Sequence, residues 1–469
     1  MSARHTPTPV TSAIATMTLA LAAGPAAAAG FQLNESSASG LGVAFAGGAA
    51  IAEDASTLWS NVAGLSRIRS GQGVAVLHLV QPSMKFGNGA SVAASQQALG
   101  HNGGDAGNLA AVPNLYLAYP MGSGWVAGLG VTAPWGLVSE YDDGWAGRFQ
   151  AIRSSIQTLN LNPGVSWKPA PGLALGLGLN AQRMLAEFTN QVNYSAALLN
   201  AAAQNGIAPG SATFNAIAQA TPGLESSARI KGADNAWGWN AGLLWDISPD
   251  HRLGLHMRSA VKYRIQGSAR FENPVPTAPA PLAPTVASLA AGVNGAALYN
   301  SDVTSDVEIP AIVNLSFFST LSSRWDLMID AQWTGWSTIE TLTFTRADGK
   351  VLQSTPENFK NTWKVAVGAQ YRPSPGWLVR GGMAFDQSPV QNAYRTPRLP
   401  DADRTWLTAG TQVRFNDATT MDVGGAYVWV KKASISINGN PPSNAAYGLL
   451  DGSYKSNTVI LSAQLNRAF

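Results

Sequence analysis

The segment that decides the fold is Leu173-Ala174-Leu175-Gly176-Leu177-Gly178-Leu179-Asn180, in which leucine occupies every second position and small or polar residues occupy the others. Successive side chains of a β-strand point to opposite faces of the sheet. The segment therefore has one apolar face and one small or polar face, as a strand does between lipid and a lumen. The stretch 159–167 alternates in the same way and is joined to it by residues 168–172, which contain two prolines and a glycine. The two stretches are predicted to form a membrane-spanning β-hairpin.

Twelve further segments alternate in the same manner, least clearly at 73–81, 112–119 and 312–320. Together they predict an all-β fold, a transmembrane antiparallel β-barrel of 14 strands, and an even number is typical of bacterial single-chain barrels. The predicted strands are 73–81, 112–119, 125–132, 155–167, 173–185, 236–245, 252–259, 312–320, 325–333, 363–372, 377–386, 404–415, 420–430 and 457–469.

The connections between these strands alternate between short and long without exception. The short ones are rich in Pro, Gly, Ser, Asn and Asp, and the two largest long ones are 186–235 and 260–311. Short periplasmic turns and long extracellular loops are typical of outer-membrane barrels and place both termini in the periplasm. Tryptophan lies at many strand ends, as at Trp237 and Trp245, where an indole suits the membrane–water boundary. The pattern predicts a protein of the bacterial outer membrane.

The composition excludes other classes of protein. Charged residues make up 12% of the 469 residues, whereas soluble domains have roughly 25%. After residue 30 no segment approaches the roughly 20 consecutive apolar residues of a transmembrane helix. The net charge of +3 is spread along the chain, so a nucleic-acid partner is excluded, and the absence of cysteine fits an exported protein without disulfides.

Both ends of the chain carry features of export and assembly. Residues 1–28 read as a signal peptide with an apolar stretch, Ile14 to Ala23, followed by three alanines suited to cleavage. The mature chain is expected to begin at Ala29. The last strand ends at Phe469, and an aromatic carboxy-terminus resembles the signal that the barrel assembly machinery reads, although Phe469 also suits the aromatic girdle of the barrel.

Residues 29–72 are predicted to form a hatch, or plug, inside the lumen of a barrel that spans residues 73–469. A barrel of eight strands is filled by its own side chains and one of sixteen to eighteen contains an aqueous channel, so an unplugged barrel of fourteen would leak. The segment is rich in Gly, Ala and Ser, and its apolar residues, including Phe31, Leu41 and Trp59, disfavour the alternative of a periplasmic tail.

Motifs along nearly the whole mature chain resemble those of the FadL family of long-chain fatty acid transporters. Loops 186–235 and 268–308 are least alike. The matching stretches are Ala29 to Glu35, Ser39 to Gly42, Ala52 to Ser56, Trp237 to Gly242, Arg258 to Lys262, Gly335 to Ser337, Asn358 to Lys360, Ala384 to Pro389 and Pro400 to Arg404.

The resemblance implies passive, ligand-gated uptake of long-chain fatty acids or similar hydrophobic molecules, with a lateral exit at a kink in the third strand. Gly128 and Gly130, which precede Pro134, agree with such a kink because glycine within a strand often marks a bend. Phe31, the turn around Asn61, and Asp386 are expected to act in gating, with Asp386 holding the hatch or the third strand by hydrogen bonding.

One departure from the family pattern lies in that turn. The family usually has Asn-Pro-Ala, whereas this chain has Asn61-Val62-Ala63, followed by Gly64. Proline would restrict φ and remove a hydrogen-bond donor, and valine does neither. The role of a rigid turn in gating is therefore in question for this chain.

A fatty acid carboxylate in an apolar cavity needs a cation, since an unpaired buried charge is unfavourable. The candidates from inward strand parity and motif position are Lys360, which is the first choice, and Arg258, Lys364 and Arg404. In the two largest loops, the stretches 194–199, 214–217 and 286–298 are predicted to be short amphipathic helices. These helices form either an apolar receiving groove or a cap in which they pack on one another.

Three other functions compete with fatty acid uptake. A channel for small aromatic hydrocarbons would need the apolar path without the cation. A general porin would need an open lumen. An enzyme would need a nucleophile beside a base, and of the five histidines only His256 has a plausible inward position within a strand. No metal or cofactor is indicated. The expected partners are a hydrophobic ligand, outer-membrane lipid including lipopolysaccharide, and the assembly machinery.

Overall fold

The computed structural model describes residues 30–437 and 443–469. The predicted signal peptide, residues 1–28, and Ala29 lie outside the described residues. Within them, no helix is long and apolar enough to cross a membrane.

The described chain forms one closed antiparallel barrel. The first strand, β1 (Gln72–Asn88), pairs on one side with β2 (Ala110–Gly122) and on the other with the last strand, β20 (Leu450–Ala468). The remaining segments are β3 (Trp125–Thr132), β4 (Gly136–Glu140), β5 (Arg153–Ala170), β6 (Leu173–Asn193), β7 (Glu225–Asp246), β8 (His251–Arg258), β9 (Val261–Glu272), β10 (Ser301–Ile309), β11 (Ile312–Thr320), β12 (Trp325–Thr334), β13 (Thr341–Arg346), β14 (Val351–Pro356), β15 (Thr362–Ser374), β16 (Trp377–Asp386), β17 (Arg404–Asn416), β18 (Thr419–Val430) and β19 (Ala433–Ile437).

The 20 described segments make 14 barrel strands, because six strands continue across a short break. The continued strands are β3 with β4, β8 with β9, β10 with β11, β12 with β13, β14 with β15, and β18 with β19. All fourteen predicted strands are therefore confirmed, and so is the alternation of short turns and long connections.

The prediction was wrong about the outer ends of several strands. Residues 260–311 and 334–362 were assigned entirely to loops, whereas β9, β10, β13 and β14 lie within them. The lipid-type pattern is reversed there. On β9 the outward Lys262 and Arg264 are exposed, while the inward Tyr263 and Ile265 are buried. These strand ends project beyond the lipid, so their outer face is charged and the apolar residues face the lumen.

In the membrane-spanning part, the apolar residues face outward. Leu177 and Trp237 are 64% and 72% exposed, whereas the inward Asn180 and Asn240 are fully buried. Some of the buried amides bond across strands, as where Asn180 Nδ2 donates to Asn240 Oδ1 at 3.1 Å. The alternation in the sequence therefore marks the two faces of the wall.

The hatch, residues 30–71, lies inside the barrel. Its helices are α1 (Ala38–Leu41), α2 (Gly48–Ile51), α3 (Thr57–Ser60) and a 3₁₀ helix, Val62–Arg67. The wall approaches it most closely where the inward residue is glycine. A Cβ on Gly254 would lie 1.9 Å from Ala49 O, and one on Gly382 would lie 2.3 Å from the carbonyl carbon of Val43. The wall glycines that contact the hatch are Gly128, Gly130, Gly164, Gly176, Gly242, Gly254, Gly368, Gly382, Gly410 and Gly424.

The extracellular loops contain helices α4 (Tyr194–Gln204), α5 (Ala212–Ala220), α6 (Ala283–Ala296) and α7 (Ser443–Tyr447). The helices predicted in the two largest loops are confirmed. Their apolar faces bury Leu198 and Ile217 against Val286. Of the two arrangements considered for these helices, the structure therefore favours the cap, in which they pack on one another, over an open groove.

Candidate functional site

An apolar pocket lies inside the outer part of the barrel, between the hatch and the extracellular loops. It has about 670 Å³ of empty space, including its open mouth. The side chains that line it come from β4, β5, β6, β9, β10 and β13 and from four non-strand segments. They are Phe31, Leu137, Ile156, Met184, Ala186, Phe188, Ile265, Val307, Ile309, Ile339, Leu342, Phe344, Glu357, Phe359, Arg398 and Leu399.

The start of the hatch forms one wall of this pocket. The ring of Phe31 packs edge-on against Trp336 and Trp135, with ring centres 5.0 and 5.9 Å apart. The backbone N–H of Gly30 donates to Asp401 Oδ2 at 2.9 Å. Gly30 has φ +60°, and a Cβ there would meet Trp336 at 2.8 Å, so only glycine suits the position. Phe31 therefore connects the hatch directly to the pocket.

The same hatch residues pair with the interruption of the third strand. Leu33 N donates to Pro134 O at 2.9 Å, and Gly136 N donates to Phe31 O at 2.8 Å. Residues 133–135 separate β3 from β4, and β4 pairs with β5 alone. The hatch thus hydrogen-bonds to the one stretch of the third strand that leaves the regular sheet pairing within the described residues.

Arg398 is the cation of the pocket and lies in the loop before β17. It is only 6% exposed, and its guanidinium donates to Ser154 Oγ at 3.2 Å and to Asn190 Oδ1 at 3.3 Å. The guanidinium carbon also lies 5.3 Å from the centre of the Phe188 ring. Burial lowers the pKa of Arg398 to about 10, although the carboxyl of Glu357 opposes that shift, so the side chain is charged at neutral pH.

Glu357 is the acidic group of the pocket and lies between β14 and β15. It is 8% exposed, and no hydrogen bond to its carboxyl is found within residues 30–437 and 443–469. Burial raises the pKa of Glu357 to about 8, and the positive charge of Arg398 opposes that shift. The site therefore places one cation and one protonatable acid in an otherwise apolar pocket.

The four cations predicted to meet the ligand lie elsewhere, since none of them lines this pocket. Lys360 is exposed. Arg258 lies over the Trp59 ring, 3.7 Å from its centre, at the hatch. Lys364 lies 5.0 Å from the ring centres of both Phe45 and Trp406. Arg404 already pairs with Asp401, at 2.6 Å between Nη2 and Oδ1. Their role as ligand cations stays a prediction that these positions do not support.

Arg398 and Glu357 were missed because the argument from strand parity does not apply to loops. Arg398 stands in Thr396-Pro397-Arg398-Leu399-Pro400, and Glu357 directly precedes the Asn358-Phe359-Lys360 match. A cation between two prolines is a signal that could have been used. Phe359 of that match does line the pocket, so the motif indicated the right region and the wrong side chain.

Asn61 holds the hatch turn together. Its Nδ2 donates to Ala49 O at 2.7 Å and to Leu243 O of the wall at 3.0 Å, while its Oδ1 accepts from Ala63 N at 3.0 Å. Gly64 is required by packing, because a Cβ would lie 2.1 Å from Thr57 Oγ1. Asn61 thus provides the 3₁₀-helix cap without a proline at position 62.

Replacing Val62 with proline is expected to stabilise the hatch by about 0.4–1 kcal/mol. Val62 is the first residue of the 3₁₀ helix, where proline is favoured, and no hydrogen bond of its backbone N–H is found among the described residues. Asn61 is already extended (φ −167°, ψ 107°), as a residue before proline prefers. Hydrogen exchange at residues 63–67 should slow in V62P and quicken in V62A, whereas quicker exchange in V62P would contradict the prediction.

Asp386 does not hold the hatch or the third strand as expected. In the described part of the chain, its carboxylate accepts no hydrogen bond from the hatch or from the third strand, and Oδ2 has no partner. It lies opposite Lys364 on β15 and Arg404 on β17 in the sheet register. Two other contacts join the hatch to the rest of the barrel: Gly30 N donates to Asp401 Oδ2, and Asn61 Nδ2 donates to Leu243 O of the wall.

Gly128 and Gly130 lie in the regular part of β3, where both β2 and β5 pair with it. Each accommodates a hatch leucine: a Cβ on Gly128 would lie 2.8 Å from Leu65, and one on Gly130 would lie 3.2 Å from Leu58. The break in pairing occurs beyond them, at residues 133–135. A lateral opening at the two glycines stays a prediction, and the geometry favours the break.

Residues 19–469 match the family model described as "Outer membrane protein transport protein (OMPP1/FadL/TodX)". The chain is 29% identical over 435 residues to the long-chain fatty acid transport protein of Escherichia coli strain K12, covering 90% of this chain and 92% of that protein. In structure it is similar to a Pseudomonas aeruginosa FadL homologue, with a TM-score of 0.82, 24% identity, and coverage of 94% of this chain and 100% of that one. It is also similar to the Pseudomonas putida toluene transporter TodX, with a TM-score of 0.64, 15% identity, and coverage of 94% and 100%.

Proposed function

Because the chain belongs to the family of outer-membrane transport proteins that includes OMPP1, FadL and TodX, we propose that it takes up long-chain fatty acids or closely similar amphiphiles. It is a β-barrel of the bacterial outer membrane. The observation that carries the proposal is the combination of an apolar pocket with a buried, charged arginine. The pocket suits an acyl chain, and Arg398 suits its carboxylate.

The energetics favour an anionic amphiphile over a neutral one. Burial of an acyl chain contributes roughly 0.8 kcal/mol for each methylene group. Among residues 30–437 and 443–469, the hydrogen-bond partners of Arg398 are the neutral side chains of Ser154 and Asn190, so no bonded carboxylate neutralises its charge before ligand binds. A carboxylate supplies the missing charge and can accept two guanidinium hydrogen bonds.

The proposed route is passive and depends on the hatch. Ligand in the pocket contacts Phe31, and Phe31 and Leu33 are hydrogen-bonded to residues 134–136 at the break in the third strand. Displacement of Phe31 by an acyl chain would therefore strain those two backbone hydrogen bonds. We propose that ligand leaves laterally at residues 133–135 once they separate.

Uptake of small aromatic hydrocarbons is the alternative, and the fold of TodX is compatible with it. Arg398 and Glu357 are the features that disfavour it, since toluene offers neither charge nor hydrogen bonds to two buried polar groups. A hydrocarbon would leave the charge of Arg398 uncompensated and would give the Glu357 carboxyl no hydrogen-bond partner.

We expect this protein to support import of oleate by cells and to give them no faster entry of toluene than cells without it. The purified barrel should bind oleate and show negligible conductance in a planar bilayer, because the hatch fills the lumen. The test measures uptake of isotope-labelled oleate and toluene in a strain that lacks its own transporter, together with conductance in planar bilayers. Porin-like conductance without saturable oleate binding would remove the proposal.

We propose transport without a catalytic step. Two histidines hydrogen-bond serines, His78 to Ser462 at 2.5 Å and His251 to Ser319 at 3.0 Å, but neither lines the apolar pocket. His256, the histidine singled out from the sequence, is buried in the wall and its Nε2 has no partner among the described residues. Lipid hydrolysis that is abolished by His256→Ala would overturn this assignment.

Two further partners are proposed for the outer surface. Lys231, Arg264 and Arg270 are exposed on the outer wall above Trp237, where phosphates of lipopolysaccharide would meet them.

Phe469 is 70% exposed while its backbone N–H donates to Gly71 O at 2.8 Å, so the ring is accessible to assembly factors. The proposal for lipopolysaccharide is tested by whether glycolipid stays bound when the protein is purified. The proposal for the assembly machinery is tested by the rate of barrel assembly after removal of Phe469.

A further inference from the structure

Two buried groups of opposite charge line the apolar pocket without forming an ion pair. Arg398 and Glu357 are both more than nine-tenths buried. Neither takes part in any salt bridge found within residues 30–437 and 443–469. The Arg398 guanidinium is held by Ser154 and Asn190, whereas the Glu357 carboxyl faces the cavity without a hydrogen-bond partner there. A buried polar group without a partner is costly, so its partner is expected to come from the ligand.

We propose that Glu357, in its protonated form, donates a hydrogen bond to the acidic head group that Arg398 binds. The ligand is then bound as an anion while Glu357 carries one proton. The inference rests on the proposed function and specifies the ligand class further. The site selects amphiphiles whose head group is a hydrogen-bond-accepting anion. Glu357 thereby becomes a residue that determines specificity.

Charge repulsion in the pocket favours the protonated form of Glu357. An ionised Glu357 beside a bound carboxylate would place two negative charges in one apolar pocket with a single arginine between them. Protonation removes that repulsion and turns Glu357 into an O–H donor, and hydrogen bonds from a carboxyl to a carboxylate are among the strong ones. The ligand keeps its negative charge for Arg398.

The surroundings of Glu357 support its protonation. Burial raises its pKa to about 8, with Arg398 the one group that opposes the shift. Other charges on the lining elements point away or are already engaged. Outward ion pairs join Glu187 to Arg229, Glu308 to Lys262, and Arg153 to Glu140, and Arg346 donates to the carbonyls of Tyr299 and Ala297. Asp401 is held by Arg404, Lys360 and Glu340 are exposed, and the backbone carbonyl of Glu340 accepts from Glu357 N.

Proton linkage predicts the sign of the pH dependence. A bound anion raises the pKa of Glu357 further, so the contribution of its proton to binding is fully present below the pKa of the free site and is lost as the pH rises above it. Affinity should be constant from about pH 6.5 to about pH 7.5 and should then fall, towards a limit of about tenfold for each pH unit.

The test uses the full barrel in lipid nanodiscs and hexadecanesulfonate as the probe, because a sulfonate stays ionised throughout the range and only the protein titrates. Affinity measured from about pH 6.5 to about pH 9.5 should fall by about tenfold or more. Glu357→Gln carries a permanent N–H donor of similar shape and does not titrate. Its affinity should therefore be independent of pH over this range.

The outcomes separate this inference from the proposed function. A parent protein whose affinity does not change with pH, or a Glu357→Gln variant that retains the whole pH dependence, would overturn the role of the proton while leaving uptake of anions intact. Hexadecanol, which has no charge, should bind the parent with little dependence on pH. If neither hexadecanesulfonate nor oleate binds better than hexadecanol at neutral pH, the proposed function itself fails.

Discussion

Replacing Arg398 with alanine is expected to lower the affinity for oleate by about a hundredfold, while binding of oleyl alcohol changes by less than about threefold. Removal of one partner from a buried charge pair typically costs about 2–5 kcal/mol, and a hundredfold loss corresponds to about 2.7 kcal/mol. Arg398 is the cation that lines the apolar pocket, so no neighbouring cation in the lining replaces it. Titration of both ligands against the barrel in nanodiscs measures the two affinities.

Lys360→Ala is the matched control, because Lys360 was the first choice from the sequence and its side chain is exposed outside the pocket. It should change oleate affinity by less than about twofold, as expected for a solvated charge. Arg398→Lys should retain part of the preference for the acid, since it keeps the charge and loses the two-pronged guanidinium. The assignment of Arg398 is wrong if Lys360→Ala costs more than Arg398→Ala.

Replacing Gly382 with alanine is expected to displace the hatch and to make a closed barrel leak. A Cβ at this position would lie 2.3–2.7 Å from backbone atoms of Val43, and backbone cannot rotate out of the way as a side chain can. Overpacking of this kind costs about 1–3 kcal/mol, which would raise the population of displaced hatch by about five- to 150-fold. Conductance in planar bilayers and uptake of a large hydrophilic antibiotic should both increase.

The adjacent glycine offers the control. A Cβ at Gly381 meets no atom within 4 Å, and the residue is exposed on the outer face of β16. Both variants exchange one glycine for one alanine in the same strand, so any general effect on the strand or on barrel assembly is shared. Equal leakage from Gly381→Ala and Gly382→Ala would mean that the close contact with Val43 does not keep the hatch in place.

The barrel was predictable because lipid imposes a local rule on the sequence. A strand with lipid outside and a filled lumen inside must alternate residue by residue, and segments such as Leu173 to Asn180 do so without help from distant parts of the chain. The rule fails where the environment changes. Beyond the membrane, Lys262 and Arg264 face outward and Ile265 faces inward. A prediction that looks for apolar residues on the lipid-facing side therefore assigns this strand to a loop.

The candidate site was only partly predictable, because its residues are brought together by tertiary contacts. Phe31, Glu357 and Arg398 come from the hatch and two loops, whose positions carry no period. Inward parity identified Arg258, Lys364 and Arg404 correctly as buried, but parity does not say whether a cation already has a partner. Arg404 is paired with Asp401, and Arg258 covers Trp59.

Glycine shows the same division between local and tertiary information. From the sequence, Gly128 and Gly130 indicate a bend in the strand, because glycine within a strand often marks one. In the structure they are two of the inward glycines that leave room for the hatch, here for Leu65 and Leu58. The sequence does not show why a position is glycine. The reason becomes visible only in the structure, where a neighbouring atom occupies the space that a Cβ would fill.

The amino-acid sequence by itself determined the barrel, its fourteen strands, the plugged lumen and the family, because the two-residue alternation and the motifs are properties of neighbouring residues. Only the tertiary structure decided which cation and which carboxyl line the apolar pocket, and where the third strand loses its pairing. Those properties depend on distances between residues far apart in the chain, such as the 2.9 Å between Gly30 N and Asp401 Oδ2. Burial and pairing of a charge are set by such distances, and therefore no reading of strand parity could have assigned them.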